Sequence, residues 1–400
     1  MENKPKKESK HEASHRELAT DLKRIGKVID TAYTTKGEAF GVGEYTRDLH
    51  GLVTFMELVV DSDDLPYQID TGPTRKKVRV ASRTLATAIE NLHAYFELFS
   101  ADMAYAPHLK LFFEKFLKHP VHMLNPTISM NAPLSDGRVE AEVGNDFVLY
   151  LREQGKKMRI KEKIADWKRT TNENRDRIKV YVPALVEKYS RLLVVRLDVN
   201  YRKAMVDEEE IQAIADKLLS LAATDVMRLM NGESIDDLVA KRETLARVDI
   251  REVKKDLAHF FRNMRGKPAL FEHMVGHIWS IEFSRVGGYH IHLALFFDGS
   301  QVTKDAWYGD QIGMYIEQVI TKGRAIVHNC NRDREKYGEN WAIGMVEYFD
   351  APKLSKLMKV IDYLAKDSQS VYVKPAKGSQ MFGTGHLPGE TPKVGPKRSK

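Results

Sequence analysis

The stretch GGYHIHLALFF, residues 287–297, places His290 and His292 one residue apart inside an otherwise apolar run. Side chains alternate across a strand, so the two imidazoles share one face with Ala294, while Ile291, Leu293 and Leu295 take the other. The preceding run HIWSIEFS, residues 277–284, divides in the same way, with Trp279, Ile281 and Phe283 opposite Ser280, Glu282 and Ser284. A turn of three or five residues around 286–288 preserves this parity, and glycine supplies the positive φ of a bulged three-residue hairpin. Glu282 then lands beside the histidines. Two neutral imidazoles and one carboxylate form an incomplete shell for a divalent ion, with positions open to water or phosphate oxygens. The competing reading is a pair of solvated strand histidines next to an acid.

Other metal patterns fit less well. A histidine-triad hydrolase needs a third histidine at position 294, where alanine stands. A cupin needs a glutamate soon after the pair, and residues 293–300 contain none. A two-histidine phosphoesterase needs a second, matching repeat, which is absent. His273 and His277 are four apart, but Gly276 and the following strand argue for a loop rather than a zinc-binding helix.

A second group with chemical potential lies in the helix expected over residues 353–368. Leu354, Leu357, Met358, Ile361, Leu364 and Ala365 form its apolar stripe. At about 100° per residue, Tyr363 falls some 200° from Ile361 and outside that stripe. Its neighbours on the helix surface are Lys359 and Lys366. Cations favour a phenolate and attract phosphate, as an attacking tyrosine requires. Lys356, Lys359 and Lys374 are the nearby cations expected to contact a nucleic-acid strand.

Glu282, then HIH at 290–292, then YLAK at 363–366 resembles the ordered motif set of HUH endonucleases, the rolling-circle replication initiators. GGYHIHLALFFDGS and VIDYLAKDSQSVYVKP are most similar to replication proteins of filamentous phages (inoviruses) and their prophage relatives. The resemblance covers residues 191–375, and LLVVRLDVNY fills the place of the family's first strand motif. It implies that His290, His292 and Glu282 bind Mg²⁺ or Mn²⁺. It also implies that Tyr363 attacks phosphorus, releasing a 3′-hydroxyl and keeping the 5′-phosphate as a tyrosine ester, with Lys366 stabilising charge or assisting the phenol. Position 366 is lysine and 367 aspartate, and Tyr372 falls beyond the helix, so a single-tyrosine enzyme is expected. The implied partners are single-stranded DNA at an origin and the helicase and polymerase of a bacterial host, since no P-loop motif is present. A mobilisation relaxase and a non-catalytic DNA-binding regulator remain the alternatives.

The elements that must position these groups follow from patterning. Residues 1–17 read as a disordered arm and 18–185 as a mostly helical region, a candidate for DNA recognition or an accessory role. Residues 186–375 mix strands and helices, and 376–400 read as a basic disordered tail. Residues 119–144 read as loops. The expected fold class is α+β: an antiparallel-sheet, HUH endonuclease-like domain with helices on one face, preceded by the helical region. The chain of 400 residues, 42% hydrophobic and 30% charged, can fill a sizeable core. No run suits a membrane span or a secretory signal, and Cys330 is the single cysteine, so a bacterial cytoplasm without disulfides is expected. The net charge of +7 is uneven: residues 351–400 hold ten Lys or Arg against three acids, and 151–190 hold twelve against six. In the latter, Lys156, Lys157, Arg159, Lys161, Lys163, Lys168 and Arg169 form a candidate phosphate-backbone track, or an exposed structural helix.

Overall fold

The computed structural model describes residues 31–35, 39–41, 46–72, 76–101, 103–124, 130–242, 245–365, 371–372 and 380–389. It is an α+β protein. No helix among the described residues is long and apolar enough to cross a membrane.

The N-terminal region opens with a short hairpin, β1 (Thr31–Tyr33) and β2 (Ala39–Gly41), followed by α1 (Thr46–Asp61) and a second hairpin, β3 (Tyr67–Thr71) and β4 (Lys76–Val80). Helices α2 (Arg83–Glu90), α3 (Leu92–Phe96), α4 (Pro107–Phe116), α5 (Glu140–Lys157) and α6 (Ile160–Lys188) follow, with a short β5 (Ala104–Tyr105) before α4. Their apolar stripes converge on one aromatic core. Phe112 of α4 meets Phe55 of α1 and Phe147 of α5 edge-on at centroid distances of 6.4 Å each. Within residues 119–144, expected to be loops, α5 already begins at Glu140. Glu142 explains the early start, because its carboxylate accepts from the Val139 backbone N–H at 2.8 Å and pairs with Lys76 at 2.6 Å.

The basic track across α5 and α6 is largely neutralised locally. Lys157 pairs with Glu153, Arg159 with Glu162, Lys161 with Asp61 and Arg169 with Asp166. This pattern suits a solvated structural helix, each exposed pair contributing little to stability.

The larger sheet is antiparallel throughout. Its strands are β6 (Arg191–Tyr201), β7 (Met274–Ser284), β8 (Gly288–Asp298), β9 (Ala325–Asn329), β10 (Gly344–Glu347) and β12 (Phe382–Thr384), with β11 (Val371–Tyr372) pairing β5 elsewhere. The order is β10-β6-β8-β7-β12, and β9 pairs β6 beside β10. Helices α7 (Ile211–Met230), α8 (Ile235–Ala240), α9 (Ile250–Asn263), α10 (Pro268–Phe271), α11 (Asp305–Tyr315), α12 (Arg334–Tyr337) and α13 (Ala351–Ala365) complete the described set.

Alternation gives the sheet two unlike faces. On one, Leu193, Val195, Leu197 and Val199 join Ile291, Leu293, Leu295 and Phe297, and α9, α10 and α11 cover them with Val253, Leu257, Phe260, Phe271 and Ile312. On the other, Leu192, Val194, Ile278, Ala294 and Phe296 form an apolar half. Helix α6 covers this half with Ile178, Tyr181, Val182 and Leu185, and α13 covers it with Leu357, Ile361 and Leu364. Helices thus cover the first face as expected, and two more occupy half of the second.

Two domain boundaries need correction. Residues 376–400 are not wholly a tail: β12 extends the sheet, with Phe382 opposite Ser280 and its side chain buried. A three-residue strand carries too little alternation to be seen in sequence. Residues 390–400 lie outside the described residues. Nor does the sheet layer start at 186, since the second half of α6 is part of its roof.

The turn from β7 to β8 has three residues, and Ser284 pairs with Gly288. Gly288 has φ of +80°, and a Cβ there would sit 2.4 Å from the Val248 carbonyl oxygen. The conformation excludes L side chains and the space excludes a methyl. Gly288→Ala is expected to lower stability by at least about 2 kcal/mol in urea unfolding. An unchanged midpoint would show that the turn relaxes at no cost.

Candidate metal centre

The polar end of the second sheet face is built by continuing each strand past its apolar half. Val194 gives way to Arg196 and Asp198 on β6, Ala294 to His292 and His290 on β8, and Ile278 to Ser280 and Glu282 on β7. The register places Asp198, His292 and Ser280 in one row across three strands. Glu282 stands directly opposite His290.

The ligand atoms of Glu282, His290 and His292 all lie within 4.8 Å of one another. Glu282 Oε2 is 3.2 Å from His292 Nε2 and 3.9 Å from His290 Nε2. The two rings stand nearly perpendicular, with centroids 5.0 Å apart. His292 Nε2 is buried and forms no hydrogen bond of ordinary geometry. A cation between these atoms would satisfy it, so the residues fit a divalent ion. Three protein donors leave room for oxygen ligands, and an N₂O set suits Mn²⁺ and other first-row ions.

Asp198 completes the centre from outside. His292 Nδ1–H donates to Asp198 Oδ1 at 2.5 Å, leaving Nε2 turned toward Glu282. A carboxylate behind a ligating histidine fixes its tautomer and orientation. Cys330 Sγ donates to the other Asp198 oxygen at 3.5 Å, and Arg196 Nε lies 3.6 Å from the carboxylate. Burial opposes the charge on Asp198, but His292 and Arg196 hold its carboxyl well below the usual range. The Cys330 thiol, raised by burial and by Asp198, is held as an inert neutral group.

The two histidines are electrostatically unlike. Burial, with His292 alongside, lowers His290 to about 4, so it is neutral and offers a lone pair. Burial also works against a charge on His292, but Asp198 and Glu282 prevail and push it up to about 10. Without an ion, a proton on His292 and the Arg196 guanidinium together balance the two carboxylates. An ion binding there must displace it.

Tyr363 lies on α13, whose buried stripe seats on the same sheet face as the cluster. Its side chain lies outside the described residues, as do Lys366 and Lys374. The residue before it is pinned: Asp362 receives Arg175 Nε at 3.0 Å and Nη2 at 3.2 Å from α6, a half-buried bidentate pair. Lys359 is exposed on α13, and Lys356 Nζ donates to the Glu339 carbonyl. His277 belongs elsewhere, tilted against Phe261 at 4.4 Å.

Sequence reasoning passed over Asp198, Arg175 and Tyr33. The signal for Asp198 was an acid within a β-branched run. Burial and Asp198 raise the Tyr33 phenol pKa, Lys336 opposes this, and Glu282 adds to it, which puts Tyr33 within electrostatic reach of the cluster.

Fold and site together define an α+β protein with a candidate divalent-metal centre on the open end of an antiparallel sheet. Residues 154–385 match the YagK/YfjJ C-terminal domain family, and the chain belongs to that family. No curated protein and no solved structure matches the chain.

Asp198→Asn is expected to weaken Mn²⁺ binding by about 10- to 100-fold in calorimetric titration. Because the proton on His292 must leave, wild-type affinity should rise with pH from 7 toward 10. Titrations in buffers of different ionisation enthalpy should show close to one proton released per ion at neutral pH. Zero release would mean that the imidazole is already unprotonated.

Proposed function

We propose that this chain is a metal-dependent, single-tyrosine DNA endonuclease and strand transferase of the HUH type that initiates rolling-circle replication. The observation that carries the reading is the seating of α13, with Tyr363, on the sheet face that holds Glu282, His290 and His292. Membership of the family does not by itself specify an activity. The motif order and the geometry of the cluster support this one.

In this reading Glu282, His290 and His292 would hold Mg²⁺ or Mn²⁺, with Asp198 keeping His292 in its ligating tautomer. An ion held there would supply Lewis-acid chemistry toward phosphate. Arg175, through Asp362, fixes the rotation of α13 and so the position from which the tyrosine approaches. The Tyr363 oxygen attacks phosphorus, the bond to the 3′ oxygen breaks, and that oxygen leaves as a hydroxyl after taking up a proton. The phenolic proton passes to a base, a role for which Lys366, three residues on and in its uncharged form, is the candidate. The 5′-phosphotyrosine ester retains the bond energy, so attack by a later 3′-hydroxyl reseals DNA without ATP. The substrate is single-stranded origin DNA, and the helicase and polymerase come from the bacterial host in whose cytoplasm the reaction runs.

The test is a labelled single-stranded oligonucleotide spanning candidate origins, incubated with Mn²⁺ and resolved under denaturing conditions. A protein–DNA adduct is expected, lost in Tyr363→Phe while DNA binding persists. His290→Ala should reduce nicking by at least about 100-fold. Binding without an adduct across several origins would favour a non-catalytic regulator, and hydrolysis persisting in Tyr363→Phe would remove the tyrosine from the chemistry.

A further inference from the structure

The rim of the metal face carries aromatic rings for which the strand-transfer chemistry has no use. Tyr33 ends β1 with 48% of its surface exposed, whereas Thr34 beside it is buried. The Tyr33 carbonyl accepts from Val206 N–H at 2.9 Å, and Thr35 N–H donates to the Val206 carbonyl at 3.2 Å. These bonds tie β1 to the turn following β6, at the end of the sheet where the centre lies. The Tyr33 ring lies within electrostatic reach of Asp198, Glu282 and Lys336.

A second segment approaches from the sheet edge. Strand β9 ends at Asn329 opposite Leu197, and β10 resumes at Gly344 opposite Val194. Residues 330–343 therefore leave the edge and return to it three residues along β6. Asn331 anchors the departure, accepting from Arg196 N–H at 2.9 Å and donating to the Val194 carbonyl at 2.9 Å. The Cys330 thiol at its start donates to Asp198 at 3.5 Å, and the Glu339 carbonyl takes a bond from Lys356 on α13, so the excursion runs from beside the cluster to the tyrosine helix. On it stand Lys336 and Tyr337, both exposed; the Tyr337 ring lies 5.8 Å from the Lys336 ammonium and 6.4 Å from the Trp341 ring.

We infer that Tyr33 and Tyr337, with Lys336 beside them, form a stacking rim for the bases of a single strand whose phosphate is presented to the metal centre. The inference rests on the proposed function and adds residues that the motifs do not contain. Exposed rings offer a π face to any base, and an adjacent ammonium meets the backbone. The excursion holds Arg332, Arg334 and Lys336 against Asp333, Glu335 and Glu339, so net charge is not what it contributes. Its rings are. Lys336 supplies a local ammonium beside Tyr337, and the rim then holds whichever bases flank the cut without reading them.

The experiment uses the full chain, without metal and with EDTA, and a labelled oligothymidylate of about 12 nucleotides, followed by anisotropy. Tyr33→Ala and Tyr337→Ala should each weaken binding about ten-fold, while the Phe variants stay within about two-fold of wild type. Both positions are exposed, and matched thermal melts check that the variants are folded. Ala variants binding as tightly as wild type would overturn the rim, leaving those rings to a protein partner. So would Phe variants as weak as Ala, because a hydroxyl rather than a ring would then be at work. Loss of the covalent adduct in Tyr33→Phe would overturn it too, by making that phenol a reactant. Adduct formation by the wild type is scored separately with Mn²⁺, so a failed nickase reading is told apart from a failed rim.

Discussion

The pairing of Ser284 with Gly288 decides which side chains of β7 and β8 share a face, because a strand has a period of two and a one-residue slip would exchange its faces. In the observed register Glu282 and His290 are direct neighbours and His292 is a diagonal one. In the slipped register the carboxylate would point into the core of Leu293, Leu295 and Phe297. The three-residue turn holds this choice, and the close approach of Gly288 to Val248 leaves little freedom to revise it. The clustering of Glu282, His290 and His292 and the hold of Asp198 on His292 both presuppose that one turn.

The same strands serve two solvents. Along the second face, the apolar half is sealed by α6 and α13, and the polar half begins one pleat later, at Arg196, His292 and Ser280. Five ionisable groups, Arg196, Asp198, Glu282, His290 and His292, so near a dry core are costly unless they satisfy one another. Asp198 does much of this work: it accepts a hydrogen bond from the His292 Nδ1–H, lies by Arg196 and accepts from Cys330. The arrangement is locally balanced by the guanidinium and one proton, and that proton gives a cation a defined group to replace.

Much of the centre could be read from residues alone. HIH at 290–292 and Glu282 share a face by parity, and the structure puts them together. The stripe of Leu357, Ile361 and Leu364 was legible by helical spacing and is the buried seat of α13. Asp198 was not legible as a partner, since 94 residues separate it from His292 and only the strand order makes them adjacent. Arg175 failed for the same reason, standing 187 residues from Asp362 in a segment that reads as solvated. Strand β12 failed because its three residues show no period, and Tyr33 because a two-strand ribbon far upstream gives no sign of where it docks.

Helix α6 runs unbroken through 29 residues, about 43 Å at 1.5 Å per residue, even across Pro183. Ile160 belongs to the N-terminal core and Ile178 to Leu185 to the roof of the sheet. One rod is therefore gripped at both ends, and its angular phase is shared between the two bodies. Inserting a single residue midway would turn one grip by about 100° relative to the other, whereas seven residues would nearly restore alignment. Recombination between relatives that trades the amino-terminal half is thus constrained to exchange whole turns of helix, a rule of mechanical gearing rather than of chemistry.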